Sequence, residues 1–180
     1  MRGIVFTELM EMVEQIYGYE LVDELLQEVR PASKGSYTSV GNYPHQELVN
    51  LLIRLTGKVA KSVEELMTIY GQHLFQVFAK GYPVFFEDDL DAFTFLAGIE
   101  NKIHPEVRKL YPDAELPRFN ILNHDSKELI MDYSSERRMS SFALGLINGC
   151  FDHFNERATV KMDKLDESGA RVRFTINRGA

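Results

Sequence analysis

The chain has 180 residues, with 20 Lys and Arg against 27 Asp and Glu, so its formal net charge is -7. This length suits one domain with a sizeable core. The hydrophobic fraction of 44% excludes a disordered or collagen-like chain. The acidic balance argues against nucleic acid as a partner, because binding to phosphates needs a basic face.

The first half of the sequence predicts helices. Apolar residues recur at helical spacing over 4–17 and 20–29, and these segments are followed by Gly18 and Pro31 as stop signals. The stretch 31–43 is small and polar, which predicts a loop.

Two later helices carry their own end signals. Pro44 is placed to open a helix that Gly57 closes. Ser62 and Glu65 form a capping-box pattern, which predicts a helix from that point to about Lys80.

A further helix is expected over 90–103, where apolar residues again follow helical spacing. Pro105 disfavours helical geometry at His104, so the chain should kink there or restart a helix with Pro105 in its first turn. The acidic residues before this helix are interpreted as a helix N-terminus that complements the helix dipole. They are Glu87, Asp88, Asp89 and Asp91.

Strand signals appear in the second half. Apolar and polar residues alternate over 119–121 and 129–133 around a polar turn at 123–127, which predicts a hairpin. The clean alternation over 172–176 predicts a half-buried strand that pairs with 158–165.

The stretch 139–154 between the two hairpins predicts a helix, with Cys150 in the core. The expected fold is therefore α+β. It combines a helical N-terminal lobe, about residues 1–60, with a lobe of helices and a four-stranded antiparallel sheet, about 61–180.

The most specific pattern in the chain is Tyr133-Ser134-Ser135-Glu136-Arg137. If this segment is extended, Tyr133, Ser135 and Arg137 share one face and span roughly 13 Å, at about 3.3 Å per residue. Two hydroxyls and a guanidinium so spaced suit a ligand with two separated carboxylates, since arginine is permanently charged and bidentate. Alone, such a pattern is more often a strand end with an exposed arginine.

His104 favours a ligand-binding interpretation of this pattern over an exposed strand end. A histidine beside apolar residues is usually packed or capping, but neutral imidazole is also the common axial ligand of haem iron. A histidine on one segment and a dicarboxylate clamp on another are what a non-covalent haem requires. The sequence has no Cys-x-x-Cys-His motif for covalent attachment.

These residues resemble the haem–nitric oxide/oxygen-binding (H-NOX) family, which is related to the sensor domain of soluble guanylate cyclase. The resemblance covers essentially the whole chain and implies a two-lobed fold with haem between the lobes. Besides His104 and the Tyr-x-Ser-x-Arg motif, it rests on the segments 1–6 (MRGIVF), 116–119 (LPRF) and 142–147 (FALGLI).

The resemblance implies roles for single residues around a ferrous, non-covalent haem b. His104 is the proximal iron ligand, and Pro117 packs on the porphyrin and distorts it. Ile4 (or Val5) touches the haem face from the N-terminal lobe. The propionates are held by Tyr133, Ser135 and Arg137, and the other cofactor-binding residues are Leu74, Phe78, Phe142 and Leu146.

The resemblance also bears on gas selectivity. Members that bind dioxygen stably place a distal tyrosine at the position held here by Phe142, and the neighbouring Leu74 and Phe78 are apolar. A missing hydrogen bond to a strongly polar acceptor costs about 1.5–3 kcal/mol, roughly a ten- to hundredfold loss. Nitric oxide binds ferrous haem without such help, so the pocket is expected to exclude dioxygen.

The expected function is a haem-based nitric oxide sensor, not an enzyme, that regulates a separate partner through loss of the iron–His104 bond. Carbon monoxide is a second expected ligand. A histidine kinase is the expected partner, less often a cyclic-di-GMP enzyme, with neither nucleic acid nor membrane involved. A single cysteine favours a reducing, cytoplasmic setting. The alternatives are a dioxygen-binding protein and a haem redox protein.

Overall fold

The computed structural model describes residues 1–86 and 90–179. Contacts within the chain divide it into two compact units, Met1–Tyr70 and Gly71–Ala180. None of the helices in these described residues is long and apolar enough to cross a membrane.

The first unit is helical. It contains α1 (Ile4–Tyr17), α2 (Tyr19–Val29), α3 (His45–Thr56) and the first part of α4 (Val63–Gly81). Gly18 separates α1 from α2 at φ 93°, a backbone angle that other residues rarely adopt. The buried apolar side chains of this unit include Phe6, Leu9, Leu25, Leu48, Leu52, Leu55, Leu66 and Tyr70.

The helix ends of this unit follow the local signals in the sequence. The backbone N–H of Ser62 donates to Glu65 Oε2 over 2.7 Å, and the N–H of Glu65 donates to Ser62 Oγ over 3.1 Å. This reciprocal pair is the predicted capping box, which satisfies two N–H groups at the start of α4. Pro44 stands at the start of α3 and Gly57 follows its end, as expected.

The second unit continues α4 and adds a nearly unbroken helical run. This run comprises α5 (Ala92–Gly98), a π-helical segment (Ile99–Ile103) and α6 (His104–Leu110), and a short 3₁₀ turn (Pro83–Phe85) precedes it. Asp91 caps α5 by accepting a hydrogen bond from the backbone N–H of Thr94 over 2.8 Å. The predicted role of Glu87, Asp88 and Asp89 at this helix start falls outside the described residues.

A four-stranded antiparallel sheet completes this unit. It consists of β1 (Arg118–His124), β2 (Glu128–Ser134), β3 (Ala158–Lys164) and β4 (Arg171–Arg178), in the order β1-β2-β4-β3. The two predicted hairpins are present, and β2 pairs with β4 to join them. The helices and this sheet confirm the expected α+β class.

The last helix, α7 (Ser140–His153), lies between the hairpins in sequence and packs closely on α4. A Cβ atom added at Gly71 would collide with the carbonyl oxygen of Phe142 and lie 2.9 Å from the backbone nitrogen of Leu146. One added at Gly149 would lie 2.6 Å from Phe75 Cβ. These two glycines therefore set the distance between α4 and α7.

Candidate functional site

His104 lies where the π-helical segment gives way to α6, and it is only 7% exposed. Its backbone N–H donates to the carbonyl of Ile99, five residues earlier. Pro105 has no N–H, and its ring would clash with the carbonyl four residues back in a regular helix. The wider π turn before it accommodates the proline. Of the two outcomes expected at Pro105, the structure thus shows a new α-helix with Pro105 in its first turn.

The imidazole of His104 is held by Glu100. The distance from His104 Nδ1 to Glu100 Oε2 is 3.1 Å. Burial lowers the pKa of His104 below its ordinary value, although the charge and hydrogen bond of Glu100 act in the opposite direction. The ring is therefore neutral at neutral pH, which is the form that binds a metal.

Phe119 connects His104 to the Tyr-x-Ser-x-Arg motif. Its ring centroid is 6.1 Å from that of His104 and 5.6 Å from that of Tyr133, the latter in an edge-to-face arrangement. Phe119 is on β1 and Tyr133 faces it across the hairpin as its paired residue on β2. The sheet thereby brings the first residue of the motif into the neighbourhood of His104.

The motif is not extended as far as Arg137, so the condition for one shared face along a strand holds only up to Ser134. The strand ends at Ser134, and the N–H of Ser135 donates to the carbonyl of Ala170 over 2.9 Å. A turn follows, in which the N–H of Arg137 donates to Ser135 Oγ over 3.2 Å and Arg138 adopts φ 54°. The chain thus turns away from the strand direction at the arginine.

The three side chains of the motif still interact. Burial raises the pKa of Tyr133, while hydrogen bonds with Ser135 and the backbone of Met139 and the positive charge of Arg137 lower it. A tyrosine hydroxyl, a serine hydroxyl and a guanidinium therefore form one polar cluster at the end of β2. We call Tyr133, Ser135 and Arg137 the carboxylate-binding cluster.

Arg137 has an unused donor. Its Nη2 donates to Glu115 Oε2 over 2.8 Å, and Glu115 itself is exposed. Its Nε is buried and has no hydrogen-bond partner. An unmet buried donor costs about 1–3 kcal/mol, so the side chain is suited to a further acceptor such as a second carboxylate. This orphan donor fits the propionates of a haem.

The apolar residues expected to surround the cofactor are spread over several elements. In the second unit, Leu74 on α4 is buried, and the four others are half-buried: Phe78 on α4, Phe142 and Leu146 on α7, and Pro117 just before β1. Ile4 is half-buried at the start of α1 in the first unit. Their contacts with haem stay predictions.

Two acidic residues at the site were not found from the sequence. Glu100 stands four residues before His104, and this spacing could have identified it, since residues four apart face each other on a helix. Glu115 reaches Arg137 from a loop 22 residues away in sequence, and no local signal marks that contact. Cys150 is fully buried, and burial raises its pKa well above the ordinary value, which agrees with the expected core position.

Comparison with known proteins identifies the family. A family model described as Haem-NO-binding (HNOB) matches residues 2–162. The structure is similar to that of the Fe(II) unliganded H-NOX protein from K. algicida, with 41% sequence identity, a TM-score of 0.95, and coverage of 100% of this chain and 97% of that chain. No curated protein matches the sequence significantly.

Two Shewanella structures are similar as well. The H-NOX protein from Shewanella woodyi in the Fe(II)CO state is 40% identical, with a TM-score of 0.85 and coverage of 99% of this chain and 95% of that chain. The H-NOX protein from S. oneidensis in the Fe(II)NO state is 27% identical, with a TM-score of 0.91 and full coverage of both chains at 100%. The chain belongs to the haem-NO-binding (H-NOX) family of haem gas-sensor domains.

Proposed function

We propose that this chain binds one non-covalent ferrous haem b through His104 and senses nitric oxide in the cytoplasm. The observation that carries the proposal is the occurrence, in one compact unit, of a buried neutral imidazole and the carboxylate-binding cluster. His104 would hold the iron of a bound haem, and the haem would supply an iron that can take up a diatomic gas. The related structures in Fe(II)NO and Fe(II)CO states support nitric oxide and carbon monoxide as ligands.

The carboxylate-binding cluster is proposed to hold the haem propionates. Arg137 is the dominant anchor, because its hydrogen bonds to carboxylates are charge-assisted and about twice as strong as neutral ones. Its buried Nε is already without a partner. Tyr133 and Ser135 add neutral donors beside it.

Selection against dioxygen is proposed to follow from the distal side chains. Phe142, Leu74 and Phe78 are hydrocarbons and cannot donate a hydrogen bond to a bound gas. Bound dioxygen relies on such a donor more than nitric oxide does. The same apolar set disfavours a stable dioxygen carrier and a haem redox enzyme, which needs acid–base groups beside the bound ligand.

The signal is proposed to begin when His104 leaves the iron. His104 directly follows the π-helical segment, and π segments of this kind occur often at functional sites. Pro117 would pack on the porphyrin of a bound haem, and loss of the iron–His104 bond would relieve that contact. A separate partner that binds one state of the domain better than the other is thereby switched. We expect this partner to be a histidine kinase, with a cyclic-di-GMP enzyme as the second candidate.

The variant His104→Gly tests the ligand assignment. It should lose haem on purification, or keep it only with added imidazole, and His124→Gly at the exposed end of β1 should retain haem like the unaltered protein. Absorption spectra of the ferrous proteins measure this. A normal five-coordinate histidine spectrum in His104→Gly would show that another residue binds the iron.

A further inference from the structure

We infer that Glu100 is the positioning residue of the iron ligand: its carboxylate orients His104, strengthens the imidazole as an iron donor and so determines how readily His104 leaves the iron. This inference rests on the proposed function and adds a residue that controls the release of His104 from the iron. Its basis is the geometry of Glu100, which links three separate elements of the second unit.

The carboxylate of Glu100 is held in place without help from His104. Its Oε2 accepts a hydrogen bond from the backbone N–H of Phe119 on β1 over 3.1 Å. Its Oε1 lies 3.7 Å from Arg108 Nη2 on α6. The side chain is only 29% exposed, so these contacts are partly shielded from water. The carboxylate therefore presents a fixed acceptor to the ring of His104.

This acceptor determines which nitrogen of His104 is available to a metal. A carboxylate can only accept, so the 3.1 Å contact with Glu100 Oε2 requires the proton on Nδ1. Nε2 then carries the lone pair. Metal-binding histidines commonly donate their other N–H to such a group, which fixes the ring and raises its basicity as a ligand. An ionised acceptor does this more strongly than a backbone carbonyl.

The position of Glu100 in the π-helical segment couples the orientation of the His104 ring to the release of His104 from the iron. Glu100 lies inside this segment and His104 follows its last residue, so the contact between them depends on the local winding of the chain. Movement of His104 away from the iron along this segment must also break its hydrogen bond to Glu100. Because Glu100 is hydrogen-bonded to β1, its carboxylate opposes the movement of His104 away from the iron.

Arg108 weakens the influence of the Glu100 carboxylate on His104. Its guanidinium lies near the other oxygen of Glu100 and withdraws part of the negative charge that acts on His104. Arg108 is 45% exposed, so removing its charge should not disturb the core. Removal of the arginine charge and removal of the glutamate charge should therefore change the iron–histidine bond in opposite directions.

The test compares Glu100→Gln with Arg108→Gln and with the matched control Glu106→Gln, which removes a half-buried carboxylate of α6 paired with Lys109. In the ferrous proteins, resonance Raman gives the iron–histidine stretching frequency. Transfer of haem to an acceptor protein gives the rate of haem loss. Glu100→Gln should lower the frequency and speed haem loss roughly 10- to 100-fold, the usual effect of removing such a partner. Arg108→Gln should raise the frequency, and Glu106→Gln should change neither quantity.

The outcomes separate this inference from the proposed function. If the unaltered protein takes up no haem through His104, the proposed function fails. If it does, but Glu100→Gln leaves the frequency unchanged, only the role of Glu100 is refuted. Should Glu100→Gln retain too little haem for a spectrum, Arg108→Gln decides alone, because an unchanged or lowered frequency in that variant contradicts the inference.

Discussion

Arg137 donates a hydrogen bond to Glu115 over 2.8 Å while its own Nε stays buried without a partner. Glu115 thus places a carboxylate where a haem propionate is proposed to bind, and it does so from an exposed loop position. The guanidinium already binds one anion, and this exposed carboxylate would compete with a propionate that binds there.

Glu115→Gln should therefore favour haem uptake. Exposed ion pairs contribute about 0–1 kcal/mol, so the expected gain in haem affinity is up to about fivefold. Titration of the haem-free protein with haem, followed by absorption, measures it. Asp113→Asn removes the same charge from the same loop and should have a smaller effect. Equal gains in both variants would mean that net charge, not competition at Arg137, is responsible.

Arg137→Ala should reduce haem retention more than Ser135→Ala. In the proposed function the arginine would supply a charge-assisted hydrogen bond to a propionate and the serine only a neutral one. A difference of about 1 kcal/mol between the variants corresponds to roughly fivefold in affinity. The ratio of haem absorption to protein after matched purification checks this, and equal occupancy would contradict the proposed order.

Phe142→Tyr should shift gas binding toward dioxygen. The new hydroxyl can donate to a bound dioxygen, a bond that contributes about 1.5–3 kcal/mol when the acceptor is strongly polar. In air, the unaltered ferrous protein should form no lasting dioxygen complex, and the variant should form one that persists long enough to be seen by absorption. Phe78→Leu serves as the control, because it alters the proposed apolar set without adding a donor. A stable dioxygen complex in the unaltered protein would refute the apolar-pocket proposal.

Gly71→Ala should destabilise the second unit. The added methyl would meet the backbone of α7 at Phe142 and Leu146, and backbone atoms cannot move aside as a flexible side chain can. We expect a loss of about 1–3 kcal/mol in the free energy of unfolding, the usual range for overpacking. Denaturant titration of both variants measures this. Gly81→Ala, on the same helix with no heavy atom within 4 Å of the added Cβ, should leave the free energy of unfolding unchanged or raise it.

Local signals predicted most of the fold. The capping box at Ser62 and Glu65, the stop at Gly18 and the alternation over 172–176 each appear in the structure where the sequence indicates them. Each of these features depends on residues a few positions apart. The α+β class follows because such features are numerous and agree with one another.

Contacts between distant residues were not predictable in the same way. Whether the segment 133–137 is extended was left open by the sequence; it turns after Ser134, and the N–H of Ser135 donates to the carbonyl of Ala170, 35 residues later. The pairing of β2 with β4 and the contact of Glu115 with Arg137 are likewise long-range. The π-helical turn before His104 arises from a local conflict at Pro105 whose outcome depends on the surrounding packing.

The most direct test of the proposed function is the coordination of the ferrous protein after nitric oxide is added at room temperature, with the activity of a partner kinase followed in parallel. We predict an absorption spectrum of five-coordinate haem, which would show that His104 has left the iron, together with a change in kinase activity. A purely six-coordinate spectrum with kinase activity still controlled by nitric oxide would contradict release of His104 as the trigger.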